Sequence, residues 1–221
     1  MLEDYINKLR PLVLELFSKD SSGHDISHLE RTMNIALLLQ EYEGGDRIVI
    51  GLSAFLHDIH RIMQIESGKF VSPKDSLGKV KEFLDVIDLD EERINQVLHC
   101  IEYHEVYNWN DPSNKENDIN TLILQDADNL DAIGAIGIGR TFTYGGAHKV
   151  AMYDNNVPLD FTKPYAEEDG NSASVIHHFY HKLFKLADNM NTSKARELAL
   201  ERTEFMKNFV DEFLKEWNGE K

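Results

Sequence analysis

His57 and Asp58 stand side by side at the end of an apolar run, Ile48-Val49-Ile50-Gly51-Leu52-Ser53-Ala54-Phe55-Leu56. An imidazole and a carboxylate that follow a segment bound for the core are costly to bury unless something pairs with them, and a divalent metal ion is one such partner. Taken alone, the pair also fits a helix end at the surface. His28 upstream and Asp126-Ala127-Asp128-Asn129-Leu130-Asp131 downstream supply more groups of the same two kinds.

Gly23-His24-Asp25-Ile26-Ser27-His28-Leu29-Glu30-Arg31 is dense in polar function. In a helix starting at Asp25, the spacing of three and four brings His24, His28 and Arg31 onto adjoining turns. The same string also reads as a capped helix start, with Asp25 as N-cap and histidines facing solvent. Downstream, Asp126, Asp128 and Asp131 sit among Leu122, Ile123, Leu124, Leu130, Ile133 and Ile136, so they need a cation, caps or water. Asp128 and Asp131 share a helix face, whereas Asp126 points elsewhere and suits a structural role. Gly137-Ile138-Gly139 has no preceding strand, so its small residues point to close helix packing rather than a phosphate cradle. His177, His178 and His181 have helical spacing but no accompanying carboxylate, and read as surface or partly buried histidines.

The elements that must position these groups are helical throughout. Leu2 to Phe17 forms a first helix bent or divided by Pro11, and Ile26 to Gln40 a second that ends before Gly44-Gly45. Asp46 caps a third helix that runs into His57-Asp58, and 68–73 is a loop. Leu77 to Ile87 and Ile94 to Tyr103 give a fourth and fifth helix, and a sixth runs from about Asn120 to Arg140 after a polar loop at 108–117. A long stretch at 155–170 without clear period could act as a lid. Two closing helices follow, from Val175 to Leu186 and from Leu198 to Trp217. The expected organisation is one all-α domain over 1–221, its site-bearing core at about 20–140 and its C-terminal helices at about 172–217 packed on that core.

A net charge of -16, with 23 basic against 39 acidic residues, argues against long nucleic acid as a partner, since such binding depends on basic residues that release counterions. A small phosphorylated substrate is compatible with that charge if a cation reverses the local potential. No apolar run is long enough to suggest a membrane span. The acidic start, Met1-Leu2-Glu3-Asp4-Tyr5, does not suggest export. Cys100 is the only cysteine and excludes an intrachain disulfide. A cytoplasmic location is expected.

His28, then His57-Asp58, then an aspartate in a later helix resembles the ligand order of the HD-domain metal-dependent phosphohydrolases, whose fold is a helical bundle. The fuller strings, His24-Asp25-x-x-His28-x-x-Arg31 and Asp126-Ala127-Asp128-x-Leu130-Asp131-Ala132-Ile133-Gly134-Ala135, are similar to those of a small bacterial subgroup that includes nucleotide pyrophosphohydrolases. The resemblance implies a metal held by His28, His57, Asp58 and Asp128. Two imidazoles and two carboxylates leave open positions on an octahedral ion, and imidazole favours Mn²⁺, Fe²⁺ or Ni²⁺ over Mg²⁺, with Mn²⁺ the first choice. Many members carry an acidic pair just after the HD dipeptide, whereas this chain has Ile59-His60-Arg61.

That departure makes Arg61 a candidate phosphate clamp, and leaves His60, His104 or Asp131 for proton transfer. His24, Arg31 and Arg140 are further candidates for substrate binding, while Asp58, Arg61, His104 and Asp131 form the expected catalytic set. His99 is either a neighbour of that set or an ordinary surface residue. The expected reaction is hydrolysis of a phosphoester or phosphoanhydride in a small nucleotide, with nucleoside triphosphate pyrophosphohydrolysis implied by the subgroup. The alternatives are a 5′-nucleotidase or phosphodiesterase, a di-iron oxygenase of the same fold, and a non-catalytic module that binds a nucleotide or a protein.

Overall fold

The computed structural model describes residues 1–18, 23, 25–105, 116–162 and 172–220. Among these the regular structure is entirely helical: α1 (Leu2–Phe17), α2 (Ile26–Glu43), α3 (Arg47–Leu56), α4 (Ile59–Ser67), α5 (Pro73–Leu84), α6 (Glu91–Glu102), α7 (Ile119–Asp131), α8 (Gly134–Ala147), α9 (Val175–His181), a 3₁₀ helix (Leu183–Asn189) and α10 (Ser193–Trp217). The all-α expectation holds.

The centre of the bundle is α3, in which every residue from Val49 to Leu56 is buried. Asp46 starts it by accepting hydrogen bonds from the Ile48 and Val49 backbone N–H groups. Around it pack α2, α6, α7 and α1, and α2 also lies along α7. Contact of α1 with α3 is close enough that a Cβ on Gly51 would fall 2.6 Å from Leu2 Cδ2. By length and hydropathy Arg47–Ser67 could cross a membrane, but 72% of its 18-residue apolar window is buried inside the bundle, as in a core helix.

The structure also corrects several helix boundaries. Pro11 does not divide α1, because Ile6, Leu9, Val13 and Phe17 hold one buried stripe through it. The chain turns at His57-Asp58 and resumes as α4, a helix additional to those expected from the sequence. The expected helix from 120 to 140 is two helices. Gly134 adopts φ +77° at the break, and a Cβ there would lie 3.0 Å from Arg202 Cγ, which crosses the turn from α10. The Val175 to Leu186 segment likewise breaks, into α9 and the 3₁₀ helix. Of the loops expected at 108–117 and 155–170, residues 108–115 and 163–170 lie outside the described residues.

Candidate metal centre

Three helix junctions aim polar side chains at one place. Asp25 caps α2 by accepting from the His28 backbone N–H, which puts His28 in the first turn. Between α3 and α4 the backbone of Asp58 takes φ -92°, ψ 15°, a turn that delivers His57 and Asp58 together. Asp128 comes from the last turn of α7. His28 Nε2 lies 3.3 Å from Asp58 Oδ2 and 3.5 Å from Asp128 Oδ1, and His57 Nε2 lies 3.6 Å from Asp58 Oδ1 and 3.8 Å from Asp128 Oδ1. Most of these separations are too long for hydrogen bonds. Oxygen and nitrogen ligands sharing one ion at about 2.0–2.2 Å stand at separations of this order.

The donor chemistry fits a cation. His28, His57 and Asp58 are buried, whereas Asp128 keeps 31% of its side chain open, so the centre is reached from the Asp128 side. Among the described residues, neither His57 Nε2 nor His104 Nε2 has a hydrogen-bond partner, although both are buried. Each imidazole commits its Nδ1–H elsewhere: His57 donates to Ala54 O (2.9 Å), His104 to Ile101 O (2.7 Å), and His60 to His57 O (3.2 Å). With Nδ1 committed in this way, Nε2 is the atom that each ring has to offer a metal once any proton on it is lost. Burial alone would lower the His57 pKa, but the Asp58 and Asp128 carboxylates outweigh it and push it up to about 9. Asp128 is held well below the usual carboxylate range; burial opposes this, and the His57 and His28 imidazoles prevail. A pocket that holds a proton this tightly is one in which two carboxylates need a positive charge.

Donor atoms within 4.8 Å of one another form three overlapping groups, His28 with His57 and Asp58, His57 with His104 and Asp128, and Asp58 with His60 and His104, and Asp128 reaches the first group through its approaches to His28 and His57. Burial pushes the His104 pKa down to about 4, so this imidazole is neutral at physiological pH. Beside it, Glu105 pairs with Arg61 and faces His60 Nε2 at 3.4 Å. Its carboxyl is held low: burial would raise it, but His60, Arg61 and His104 outweigh that. Arg61 Nε lies 3.9 Å from Asp58 Oδ1. Glu105 is therefore part of the wall of the centre, a role hard to read in the sequence because its partner Arg61 is 44 positions away.

Other candidates are placed as follows. Asp131 accepts from His28 Nδ1, Arg31 and Arg140 and lies behind the His28 ring. Arg31 and Arg140 are thus both engaged on this carboxylate. His24 lies outside the described residues. His99 is away from the centre, paired with Glu116 at 3.0 Å. Asp126 accepts four hydrogen bonds of 2.7–3.0 Å, from the backbone and side chains of Asn191 and Thr192, and so pins the start of α10. His177 and His181 are buried rather than on the surface. His177 is bonded to Ser174 Oγ (2.7 Å) and Val157 O (3.0 Å).

Comparison with known proteins gives the family. The HD domain family model matches residues 25–133, which contain all four convergent residues. The Bacillus subtilis protein YpgQ, itself uncharacterized, is 31% identical over 96% of this chain and 93% of its own. A solved HD-superfamily hydrolase from Bacillus thuringiensis is 36% identical with a TM-score of 0.73, covering 99% of both chains. The structure of Bacillus subtilis YpgQ in complex with ADP matches at 30% identity and a TM-score of 0.70, over 95% of this chain and 96% of that one. This chain belongs to the HD superfamily.

Proposed function

We propose that His28, His57, Asp58 and Asp128 hold one divalent transition metal, Mn²⁺ by first preference, and that the protein hydrolyses a phosphoester or phosphoanhydride in a small nucleotide. The observation that carries this reading is the convergence of two imidazoles and two carboxylates from three helix junctions. The ADP complex of the relative YpgQ supports a nucleotide as the ligand class, and the subgroup resemblance supports pyrophosphate release from a nucleoside triphosphate.

When bound, the ion would supply an acidified water and polarise a phosphoryl oxygen. The protein's own groups do the rest. Arg61, anchored by Glu105, places a cation beside Asp58 where a second phosphoryl group would lie. His104 is neutral and offers Nε2 to accept a proton from within the pocket.

The test is turnover of nucleoside tri-, di- and monophosphates by stripped protein reloaded with Mn²⁺, separating pyrophosphate from orthophosphate, with Asp58→Ala as control. Pyrophosphate release abolished in Asp58→Ala is the expected result. Orthophosphate release would point to a nucleotidase, and no turnover to a binding module. One observation favours a second reading. His60 and His104, grouped with Asp58, add the extra imidazoles that a di-iron oxygenase would need, and loss of turnover without oxygen would identify it.

A further inference from the structure

His28 differs from the other histidines of the centre in what holds its ring. The backbone carbonyl three residues earlier fixes His57, His60 and His104. That device is closed to His28: three residues earlier is the N-cap Asp25, whose carbonyl already accepts from the His28 and Leu29 N–H groups. The His28 Nδ1–H instead donates to Asp131 Oδ2 at 2.8 Å, across 103 positions of sequence, with Thr32 Oγ1 next nearest at 3.2 Å. Asp131 is itself held. Arg31 donates through Nε at 2.8 Å to Oδ1 and through Nη2 at 3.0 Å to Oδ2, and Arg140 through Nη1 at 3.0 Å to Oδ2. Arg140 is tied in turn through Nε to Gly23 O at 3.1 Å.

We propose that Asp131 is a positioning residue for the metal centre. It selects the His28 tautomer with the proton on Nδ1 and aims Nε2 at Asp58 and Asp128, while Arg31 and Arg140 fix the carboxylate in place. Affinity for the ion is then set partly by three residues that do not touch it. A carboxylate behind a ligating imidazole fixes ring orientation, and its loss weakens metal binding by about 10- to 100-fold. This assigns Asp131 to support rather than proton transfer, and Arg31 and Arg140 to the same support rather than to substrate. The inference rests on His28 being a ligand.

The experiment measures Mn²⁺ affinity by competition with a chelating indicator, and the visible spectrum of the Co²⁺-loaded protein, for wild type and for His28→Ala, Asp131→Ala, Asp131→Asn and Arg140→Ala. Asp131→Ala is expected to weaken Mn²⁺ binding by about 10- to 100-fold and to shift the Co²⁺ spectrum. Asp131→Asn, whose side-chain oxygen can still accept from Nδ1, should recover part of that loss, and Arg140→Ala should lose a few-fold. A folded Asp131→Ala protein with affinity within twofold of wild type and an unchanged spectrum would overturn the proposal. If Asp131→Ala does not fold, unchanged affinity and spectrum in both Asp131→Asn and Arg140→Ala would overturn it equally. Full affinity in His28→Ala would instead overturn the ligand assignment itself, so the two failures are distinguishable.

Discussion

His57 and His28 face the same carboxylates, yet their supports are built differently. The ring of His57 is held by its own helix, through Ala54 O one turn back. The ring of His28 is held by α7, and through Asp131 by α8 and by the segment at Gly23. Local support forms with its helix and survives shifts elsewhere in the bundle. Distant support exists only when α2, α7 and α8 have docked, so it couples the metal centre to the packing of those helices.

Removing either imidazole is the most severe way to probe this comparison. Zinc-type sites bind with about 10–16 kcal/mol shared among four ligands, so His28→Ala and His57→Ala should each weaken Mn²⁺ binding by roughly 10²- to 10³-fold. Titration with a chelator checks it. Below about pH 9 His57→Ala should cost the metal-free protein more stability, since it takes from Asp58 and Asp128 the proton that they hold and frees a backbone carbonyl, whereas His28→Ala leaves the ionised Asp131 with one donor fewer. Above about pH 9, where His57 is neutral, the order should reverse, and the same order at both pH values would contradict the contrast drawn between them.

Asp126 offers the converse case, distant support with no metal attached. It lies on α7 five residues before Asp131 and receives four hydrogen bonds from Asn191 and Thr192. Asp126→Ala leaves those buried donors unmatched and should cost about 3 kcal/mol. For a chain of this size that lowers Tm by roughly 6–12 °C. Mn²⁺ affinity of the folded variant should stay within a few-fold of wild type. A loss of affinity as large as that expected for Asp131→Ala would mean that α7 responds as one unit and that Asp131 has no special role.

The pH dependence follows from His57. Its pKa is raised to about 9, above the ordinary value of about 6.5 in the unfolded chain. Without an ion, the stability it contributes is therefore complete below about 6.5 and is lost as pH rises through 9. Metal must displace that proton, so apparent Mn²⁺ affinity should rise about tenfold per pH unit from 7 towards 9 and then level off. The proton released on binding, measured in two buffers of different ionisation enthalpy, should approach one near pH 7. A flat profile would show that the carboxylates do not hold His57 protonated.

The parts of this design that could be read from the sequence are the local ones. Asp25 and Asp46 announce their helices because a cap and its N–H partners lie within three residues. His57-Asp58 announces itself by following an apolar run. The break between α7 and α8 was hidden because Leu130, Ile133 and Ile136 continue the helical period across it, while the deciding feature, the Arg202 side chain over Gly134, comes from 68 positions away. Glu105 and Asp131 were visible as acids but not as supports, since Arg61 and His28 meet them only after folding. Sequence spacing can place a side chain on a face; it cannot say what a distant helix brings to that face.

The smallest test of the distant support uses two glycines of α8. A Cβ on Gly137 would fall 2.3 Å from the Ala132 carbonyl oxygen, and that atom is backbone and cannot swing aside. A Cβ on Gly139 would meet nothing within 4 Å. Gly139→Ala should therefore be neutral or stabilising by up to about 1 kcal/mol, as expected for Ala over Gly in a helix. Gly137→Ala should cost about 1–3 kcal/mol as overpacking. Because it pushes the first turn of α8 away from the end of α7, it also carries Arg140 away from Asp131. Mn²⁺ affinity should then fall a few-fold in Gly137→Ala and not in Gly139→Ala, with the same direction of change in the Co²⁺ spectrum as in Arg140→Ala. If Gly137→Ala loses stability but keeps both affinity and spectrum, the tie from α8 through Arg140 holds the fold and leaves the metal centre alone.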